Sequence, residues 1–389
     1  MHVLPYWRLS GYYFFYFAFI GAFSPYFGLY LQSLSFSAWD IGLLMSQMQL
    51  MRLFAPYLWG AFADRLGRRV AVVRLAAVLS LFGFSVFFFV RGFAAMMLAM
   101  TLLAFFWSAA LPLVETITFS HLRDASSRYS RIRLWGSIGF IAAVMGAGAL
   151  LDLVPLPGLL WVLAVTLSGI FIFALTIPEA PMHQAAGEQL PVGRILRQSR
   201  VKALFFACFA MSAAHGALYV FYSIHLSNHH YSKFLVGCLW SFGVLAEIVV
   251  FLCMAALSRR FGLRTVLSLS FAAAVVRFLM IAWGADWLSI LVLAQLLHGL
   301  TFGAYHAASI AAVNRWFPGR AQARGQALYS SLSFGAGGLL GGLLSGWTWE
   351  AWGAASTYVL SSGFAALGWI CVTRWVTITD LAHADGRSA

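Results

Sequence analysis

The chain has 389 residues, of which 62% are hydrophobic and only 10% are charged, far below the ~25% charged residues of ordinary soluble domains. Apolar runs of about 20 residues recur along almost its whole length, which excludes a soluble protein and predicts a polytopic membrane protein. The net charge of +13 does not indicate nucleic-acid binding, because the basic residues stand in short segments between the apolar runs. Continuous rather than alternating runs disfavour a β-barrel.

Twelve apolar runs follow one another, each long enough to cross a membrane as a helix. We number them spans 1 to 12 and place them near residues 9–32, 39–62, 70–90, 93–120, 130–153, 157–178, 202–226, 235–257, 265–284, 287–315, 326–348 and 353–375. The longest polar stretch separates the first six spans from the last six. The predicted fold is therefore an all-α membrane protein of two pseudo-symmetric six-helix bundles, residues 1–178 and 201–389, joined by a linker at 179–200.

The basic residues predict the orientation of the chain. Most of the 25 Lys and Arg residues fall in loops and ends on one side of the membrane if both termini lie on that side. Since cytoplasmic loops carry the excess of positive charge, both termini are predicted to be cytoplasmic. We expect a multi-pass protein of a bacterial inner membrane, surrounded by lipid, that acts as a monomer and binds no nucleic acid.

A short motif recurs in the two halves. The loop after span 2 reads GAFADRLGRRV, and the loop after span 8 reads AALSRRFGLRT, so that Gly67 aligns with Gly262 at an offset of 195 residues. The first copy resembles the loop signature of the major facilitator superfamily, which implies a conformational role for Gly60, Asp64, Arg65, Gly67, Arg68 and Arg69. The glycines would allow a tight turn and close helix approach, and Asp64 would pair with an arginine. The alternative is a basic turn that only sets topology.

Charged residues inside the spans are the main functional signal. Glu115, Glu247, Arg52 and Arg277 lie well within spans, and Arg133 lies just inside span 5. Each charge at a helix centre costs ~2.5–3.5 kcal/mol on insertion scales, so such residues pair, face water or bind a ligand. Glu115 and Arg133 flank a short loop and are predicted to meet across it. The alternative is a set of permanent ion pairs that only specify packing.

Two resemblances give these charges roles. The segment ALPLVETITFSHLRDASSRYSRIRLWGSIGF resembles spans 4 and 5 of the lactose permease group, which implies that Glu115 and Arg133 hold the substrate. VVRF and QLLHG place Arg277 and His298 where that group has a span 9 arginine and a coupling histidine. The group's proton-carrying acid is replaced by Thr301, and the span 8 acid is shifted, so the expected proton carrier is Glu247.

A second resemblance covers both halves. WDIGLLMSQMQLMRLF, RLWGSIGF, GVLAEIVVF and QLLHGLTFGAYHAA are similar to the phenylpropionate permease group, which implies proton-driven uptake of an aromatic carboxylic acid. Aromatic walls with a few polar groups suit such a solute, and Arg52 is the candidate for its carboxylate. The predicted substrate residues are Glu115, Arg133, Arg52, Trp107, Tyr305, His215 and Tyr219, and the predicted proton-coupling residues are Glu247, His298 and Arg277. For each single aromatic residue, packing is the alternative.

The glycine-rich stretch GAGGLLGGLLSG at 335–346 lies in span 11 and predicts close contact with span 2. It lacks the residues of a phosphate loop, and no metal or nucleotide motif accompanies it, so the chain is not expected to be an enzyme or to need a cofactor beyond a proton gradient. We expect a proton symporter that imports a small organic solute by alternating access. A nucleoside or sugar symporter and a multidrug/proton antiporter are the alternatives. Span 5 lacks the Gly-Pro motif usual in antiporters, which counts against export.

Overall fold

A computed structural model describes residues 4–122, 128–179, 192–319 and 321–377. This part of the chain is almost entirely helical and contains no β-strand, which confirms the all-α prediction. Its helices are α1 (Tyr6–Ser33), α2 (Ala38–Leu66), α3 (Arg69–Ser85), α4 (Phe93–Trp107), α5 (Ala110–Leu122), α6 (Tyr129–Leu153), α7 (Leu159–Thr176), α8 (Val192–Leu196), α9 (Ser199–Ala214), α10 (Gly216–Asn228), α11 (Lys233–Gly284), α12 (Leu288–Leu296), α13 (Tyr305–Trp316), α14 (Ala321–Ser330) and α15 (Gly338–Trp375). Two π-helical segments, Gly299–Ala304 and Ser331–Gly337, interrupt the later helices.

The helices account for the predicted spans. Among the described residues, 9 helical stretches are long and apolar enough to cross a membrane. Two of these stretches each contain two consecutive spans, because the helix is interrupted at a glycine. Gly262 inside α11 and Gly353 inside α15 have non-helical, positive φ angles of 73° and 82°. With α2, whose polar residues lower its hydropathy, this arrangement is consistent with the twelve predicted spans.

The two glycines that the repeated loop aligns have the same left-handed backbone conformation, as an internal duplication predicts. Gly67 ends α2 with φ 66°, and its amide donates to the Ala63 carbonyl at 3.0 Å. Gly262, its partner at the offset of 195 residues, has φ 73°. A left-handed φ is costly for any residue with a Cβ atom, so glycine at both positions allows the chain to turn back between consecutive spans.

The described residues pack as two compact units, and the units differ from the two sequence halves. Unit 1 comprises Met1–Gln184, Gly216–Ser241 and Gly338–Ala354; unit 2 comprises Ala185–His215, Phe242–Gly337 and Ala355–Ala389. Unit 1 therefore combines the first six spans with α10, the start of α11 and the first part of α15. The predicted linker lies mostly outside the described residues, and the division of the chain at 179–200 stays a prediction.

Close helix contacts in unit 1 depend on small residues. A Cβ atom on Gly42 of α2 would lie 2.8 Å from the Gly346 Cα of α15, and one on Gly346 would lie 3.0 Å from the Gly42 Cα. The contact continues along α15, where Gly342 faces Ser46. This confirms the predicted approach of the glycine-rich span 11 to span 2, which only residues without bulky side chains allow.

Candidate functional site

Three stacked aromatic rings form the centre of the candidate site in unit 1. Trp107 at the end of α4 stacks on Tyr16 of α1 at 4.7 Å with an interplanar angle of 6°, and Tyr12 stacks with the same Tyr16 ring at 6.4 Å with an angle of 14°. All three are buried. The indole Nε1 of Trp107 and the Tyr12 hydroxyl have no hydrogen-bond partner within the described chain. Buried polar groups are normally paired, so two unpartnered donors beside the stacked rings mark this region as a candidate solute site.

Glu115 is brought next to this stack by a break in span 4. The span is divided into α4 and α5 at residues 108–109, because Pro112 has no amide proton to donate back to the preceding turn. Glu115 then lies in the first half of α5, half-buried, where the Tyr129 hydroxyl donates to its Oε1 atom at 3.2 Å.

Arg133 and Glu115 do not form the direct ion pair expected from the sequence, although their charges interact at longer range. Its guanidinium carbon lies 3.8 Å from the ring centroid of Phe17 and 5.8 Å from that of Tyr13, which are cation–π distances. Tyr129 occupies the hydrogen-bonding position beside Glu115. The charges of Glu115 and Arg133 still interact, so the pair is held through two aromatic side chains of α1 and the first residue of α6.

Arg52 supplies a second positive charge to the same region. Its NH1 group donates to the neutral amide of Gln49 at 3.3 Å, and its side chain is half-buried. The side chains of Arg52, Glu115 and Arg133 all lie near enough to Tyr16, the ring that stacks with both Trp107 and Tyr12, for their charges to influence it. This described cluster therefore holds two positive charges and one negative charge around a stacked aromatic surface.

Arg277 is the centre of a separate polar cluster in unit 2. It is fully buried, at 0% exposure, in the second part of α11. Its Nε atom donates to the Ala294 carbonyl at 2.8 Å, NH1 donates to Thr301 Oγ1 at 3.1 Å, and NH2 donates to Gln295 Oε1 at 3.3 Å. Thr301, which replaces an acid of the lactose permease group, thus accepts a hydrogen bond from the buried arginine.

Two histidines complete this cluster. His215 Nδ1 is 2.8 Å from the Met211 carbonyl and must donate to it, so its Nε2 atom accepts from Arg277 NH1 at 3.4 Å. His298 Nε2 lies 4.0 Å from Glu247 Oε2, and His298 Nδ1 has no partner in the described residues. The three predicted proton-coupling residues, Glu247, His298 and Arg277, are therefore brought together in one cluster.

Gln295 belongs to the same cluster and was not predicted. Its Oε1 atom accepts from Arg277, its Nε2 atom has no partner among the described atoms, and its side chain is buried at 2% exposure. The available signal was its position three residues before His298 in an apolar run, which places both on one face of a helix.

A π-helical segment positions Glu247 close to this cluster. Gly299 and Gly303 stand in the segment Gly299–Ala304, and a Cβ atom on Gly303 would lie 3.3 Å from Glu247 Cγ. A Cβ atom on Gly299 would lie 2.7 Å from the Ala246 carbonyl oxygen. The two glycines allow α11 to approach this span closely, and π-helical turns are frequent at functional sites.

Residues 6–360 match the MFS_1 like family. The chain belongs to this family, within the major facilitator superfamily. Its relatives are membrane transporters, and the chain is a transporter and not an enzyme. It is 28% identical over 366 residues to the Probable 3-phenylpropionic acid transporter of Escherichia coli (strain K12), covering 91% of this chain and 94% of that protein. It is 27% identical to the Maltose permease of Geobacillus stearothermophilus, covering 90% and 89%.

The solved structures agree with the major facilitator fold. The chain superposes on the crystal structure of the nucleoside transporter NupG with a TM-score of 0.82 at 20% identity, covering 96% of this chain and 99% of that one. At this identity the likeness shows the fold alone. This fold agrees with the family match over residues 6–360, which confirms the resemblance to the major facilitator superfamily.

Two aromatic candidates have the contacts of packing residues in this major facilitator chain. The Tyr305 hydroxyl donates to the Cys208 carbonyl at 3.3 Å, and its ring packs edge-on against Phe271, all in unit 2. Tyr219 stacks on Trp240 at 6.1 Å in unit 1. A substrate role for these two tyrosines stays a prediction.

The loop motif of the superfamily contains one ion pair. Asp64 Oδ1 lies 3.5 Å from Arg69 NH2, so the arginine that pairs with Asp64 belongs to the same loop. Arg65 and Arg68 are exposed. A Cβ atom on Gly60 would meet nothing within 4 Å, so no close helix contact requires glycine at this position among the described residues, and its conformational role stays a prediction.

Proposed function

We propose that the chain is a proton-coupled symporter that imports a small organic anion with an aromatic ring. The solute proposed first is 3-phenylpropionate. It works by alternating access in a bacterial inner membrane, with both termini in the cytoplasm, as a monomer that binds no nucleic acid. The observation that carries the proposal is the excess of positive charge beside the stacked aromatic surface of Trp107, Tyr16 and Tyr12.

The charge of the unit 1 cluster favours an anion. Among the described residues, the hydrogen-bond partner of Arg52 is the neutral amide of Gln49, and a guanidinium forms two parallel hydrogen bonds with a carboxylate. Arg133 and Glu115 offset one another electrostatically, which leaves the charge of Arg52 for the solute. The aromatic ring of the solute then packs against the stack, as offset aromatic rings do.

The polar cluster of unit 2 is proposed to carry the proton. Glu247 is half-buried, and its Oε2 atom lies 4.0 Å from His298 Nε2, so protonation of one side chain changes the charge next to the other. Intramembrane acid and histidine residues form the proton relays of transporters. Arg277 is held by its network of hydrogen bonds and keeps a fixed positive charge in the same cluster.

A ligand series tests the solute class. The purified chain is titrated with 3-phenylpropionate and with the neutral 3-phenylpropan-1-ol, which keeps the ring and the chain length but lacks the carboxylate. We expect the acid to bind and Arg52→Gln to weaken it by about 10- to 100-fold, the loss of a charge-assisted hydrogen bond of ~1.5–3 kcal/mol. Binding of the alcohol should be equal in both proteins.

Arg131→Gln is the matched control for this series. Arg131 lies two residues before Arg133 in α6, but it is exposed, so its substitution removes the same charge outside the cluster. Equal affinity of the acid and the alcohol for the unmodified chain would contradict an anion site. Stabilisation by uncharged sugars alone would contradict the role of Arg52.

A nucleoside is the second candidate solute. Nucleobases stack on aromatic side chains, and the unpaired Trp107 Nε1 and Tyr12 hydroxyl are suited to the polar groups of a base or ribose. Uridine and adenosine therefore belong in the titration, together with maltose. Tight nucleoside binding that is insensitive to Arg52→Gln would favour this candidate over an aromatic acid.

Proton coupling is tested separately in proteoliposomes. Addition of the transported solute should alkalinise the external medium, and Glu247→Gln should abolish this response while solute binding persists. Accumulation of the solute against its gradient by the Glu247→Gln protein would contradict the role of Glu247. Solute-driven acidification would instead indicate an antiporter.

A further inference from the structure

Two acidic side chains of unit 1 bind the beginnings of helices from the other sequence half. Asp152, near the end of α6, accepts hydrogen bonds from the Lys233 and Phe234 amides of α11 at 2.8 and 2.9 Å. Glu350 of α15 accepts one from the Trp39 amide of α2 at 2.8 Å. These amides belong to the first turns of their helices, which have no acceptor within the helix itself.

The two contacts are built in the same way. Ser37 directly precedes α2, and its hydroxyl accepts from the amide of Asp40, three residues later, at 3.1 Å. Ser232 directly precedes α11, and its hydroxyl accepts from the amide of Leu235, three residues later, at 3.2 Å. In each helix, the serine hydroxyl therefore accepts a hydrogen bond from the third amide. The second amide donates to the carboxylate from the other sequence half.

A glycine stands four residues before each acid. A Cβ atom on Gly148 would lie 2.5 Å from the Lys233 carbonyl oxygen, and one on Gly346 would lie 3.0 Å from the Ala38 carbonyl oxygen. Each glycine therefore allows the backbone of its helix to touch the first turn of the partner helix, which brings the acid one turn further along to the exposed amides.

The positions repeat in register. Ser37 and Ser232, Trp39 and Phe234 are each separated by 195 residues, the offset that also aligns Gly67 with Gly262. The acids and their glycines share a second offset of 198 residues: Gly148 with Gly346, and Asp152 with Glu350. A contact that occurs twice, with serine, glycine and acid at matching positions, is a feature of the duplicated fold and not an isolated surface hydrogen bond.

We propose that Asp152 and Glu350 are a matched pair of latches, which hold closed the end of the transporter that carries the α1–α2 and α10–α11 turns. The proposal rests on alternating access as part of the proposed function. Each latch joins the two sequence halves through a carboxylate placed at the positive end of a helix dipole. Lys233 Nζ, 3.7 Å from Asp152, and the Tyr26 hydroxyl, which donates to the Lys233 carbonyl at 2.9 Å, strengthen the α11 latch.

The latches must break when this end opens to admit solute. Loss of one helix-capping acceptor of ~1 kcal/mol changes an equilibrium about fivefold. Glu350→Ala should therefore raise the ratio of open to closed molecules about fivefold, and Asp152→Ala, which loses two amide contacts and the Lys233 ion pair, should raise it by at least as much. The double variant should raise it by at least about 25-fold, because the two contacts are separate.

Distances between two spin labels measure this ratio in the full-length chain in lipid nanodiscs. The labels are placed on Gln32→Cys and Asn228→Cys, exposed positions at the ends of α1 and α10, in a chain whose four native cysteines are replaced by serine. We expect a longer-distance population that grows from the single to the double variant. Thermal unfolding of each variant checks that it is folded.

Asp40→Asn is the matched control. Asp40 is also an acid in the first turn of α2, but its carboxylate accepts from the Ser37 amide of the same turn, and in the described part of the chain it contacts no other helix through a hydrogen bond or ion pair. It should leave the label distances unchanged. An unchanged distance distribution in the folded double variant, or an equal shift in Asp40→Asn, would overturn the proposal.

A second pair of variants covers the case in which the acid variants do not fold. Gly148→Ala places a methyl group against the Lys233 carbonyl and should open the same end, whereas Gly146→Ala on the same helix meets nothing within 4 Å and should not. Equal distances in these two variants would also overturn the proposal. No solute is present in either measurement, so failure of the latches is distinguished from a wrong solute or absent proton coupling.

Discussion

Arg277→Lys should lower the free energy of unfolding by about 3 kcal/mol. The guanidinium forms hydrogen bonds with Ala294, Thr301, Gln295 and His215, at 2.8 to 3.4 Å, from a fully buried position. These acceptors surround the planar group, and a single ammonium nitrogen cannot contact them all. Loss of two charge-assisted hydrogen bonds, at ~1.5 kcal/mol each, gives the expected value.

Reversible denaturant titration of the detergent-solubilised chain, followed by tryptophan fluorescence, measures this loss. Arg259→Lys is the control, since Arg259 lies on the same helix α11 but is exposed, and its substitution should change the free energy by less than ~0.5 kcal/mol. If Arg277→Lys costs no more than Arg259→Lys, the hydrogen-bond network does not stabilise unit 2 and the reasoning is refuted.

Three further predictions test other parts of the structure. Gly67→Ala should destabilise the chain by ~1–2 kcal/mol because φ is 66°, whereas Gly60→Ala, in open space within α2, should be neutral or stabilising; both are measured by the same titration. Gly303→Ala should displace the Glu247 side chain, 3.3 Å from the new Cβ atom, and slow solute-driven proton uptake without loss of solute binding. Tyr129→Phe removes the hydrogen bond to Glu115 and should change solute affinity about tenfold, whereas an unchanged affinity would place Glu115 outside the site.

The fold was predictable because a membrane limits the possible structures. Backbone groups in hydrocarbon must be paired within their own segment, so each long apolar run had to be a helix. The boundaries followed from residues that end helices, such as Gly67 and Gly262, whose left-handed φ angles the repeated motif anticipated. Hydropathy alone did not reveal the break between α4 and α5 or the two π-helical segments, because they change the hydrogen bonding within a span and not its composition.

The sequence indicated which charged residues to consider for the candidate site, but it gave less information on the contacts between them. The cost of placing charge in a membrane makes Glu115, Glu247, Arg52, Arg133 and Arg277 candidates from the sequence alone. Loop length suggested that Glu115 and Arg133 would meet, but it gave no information on Tyr129 and Phe17, whose contacts with the two charges depend on how α1 packs against α6. Gln295 was missed since an uncharged amide in an apolar run carries a weaker signal than a charge.

The two halves of the proposed latches repeat at different offsets along the chain. The offset of 195 residues aligns the start of α2 with the start of α11, but the acids that contact these helices align only at 198. The three extra residues of the second half lie between Gly262 and Gly346, the interval that contains both π-helical segments. Since i→i+5 bonding takes up more residues per turn than an α-helix, extra residues fit there without lengthening the spans. Glycine and acid therefore keep their four-residue spacing and their partners in both halves, although the sequence between them has changed length.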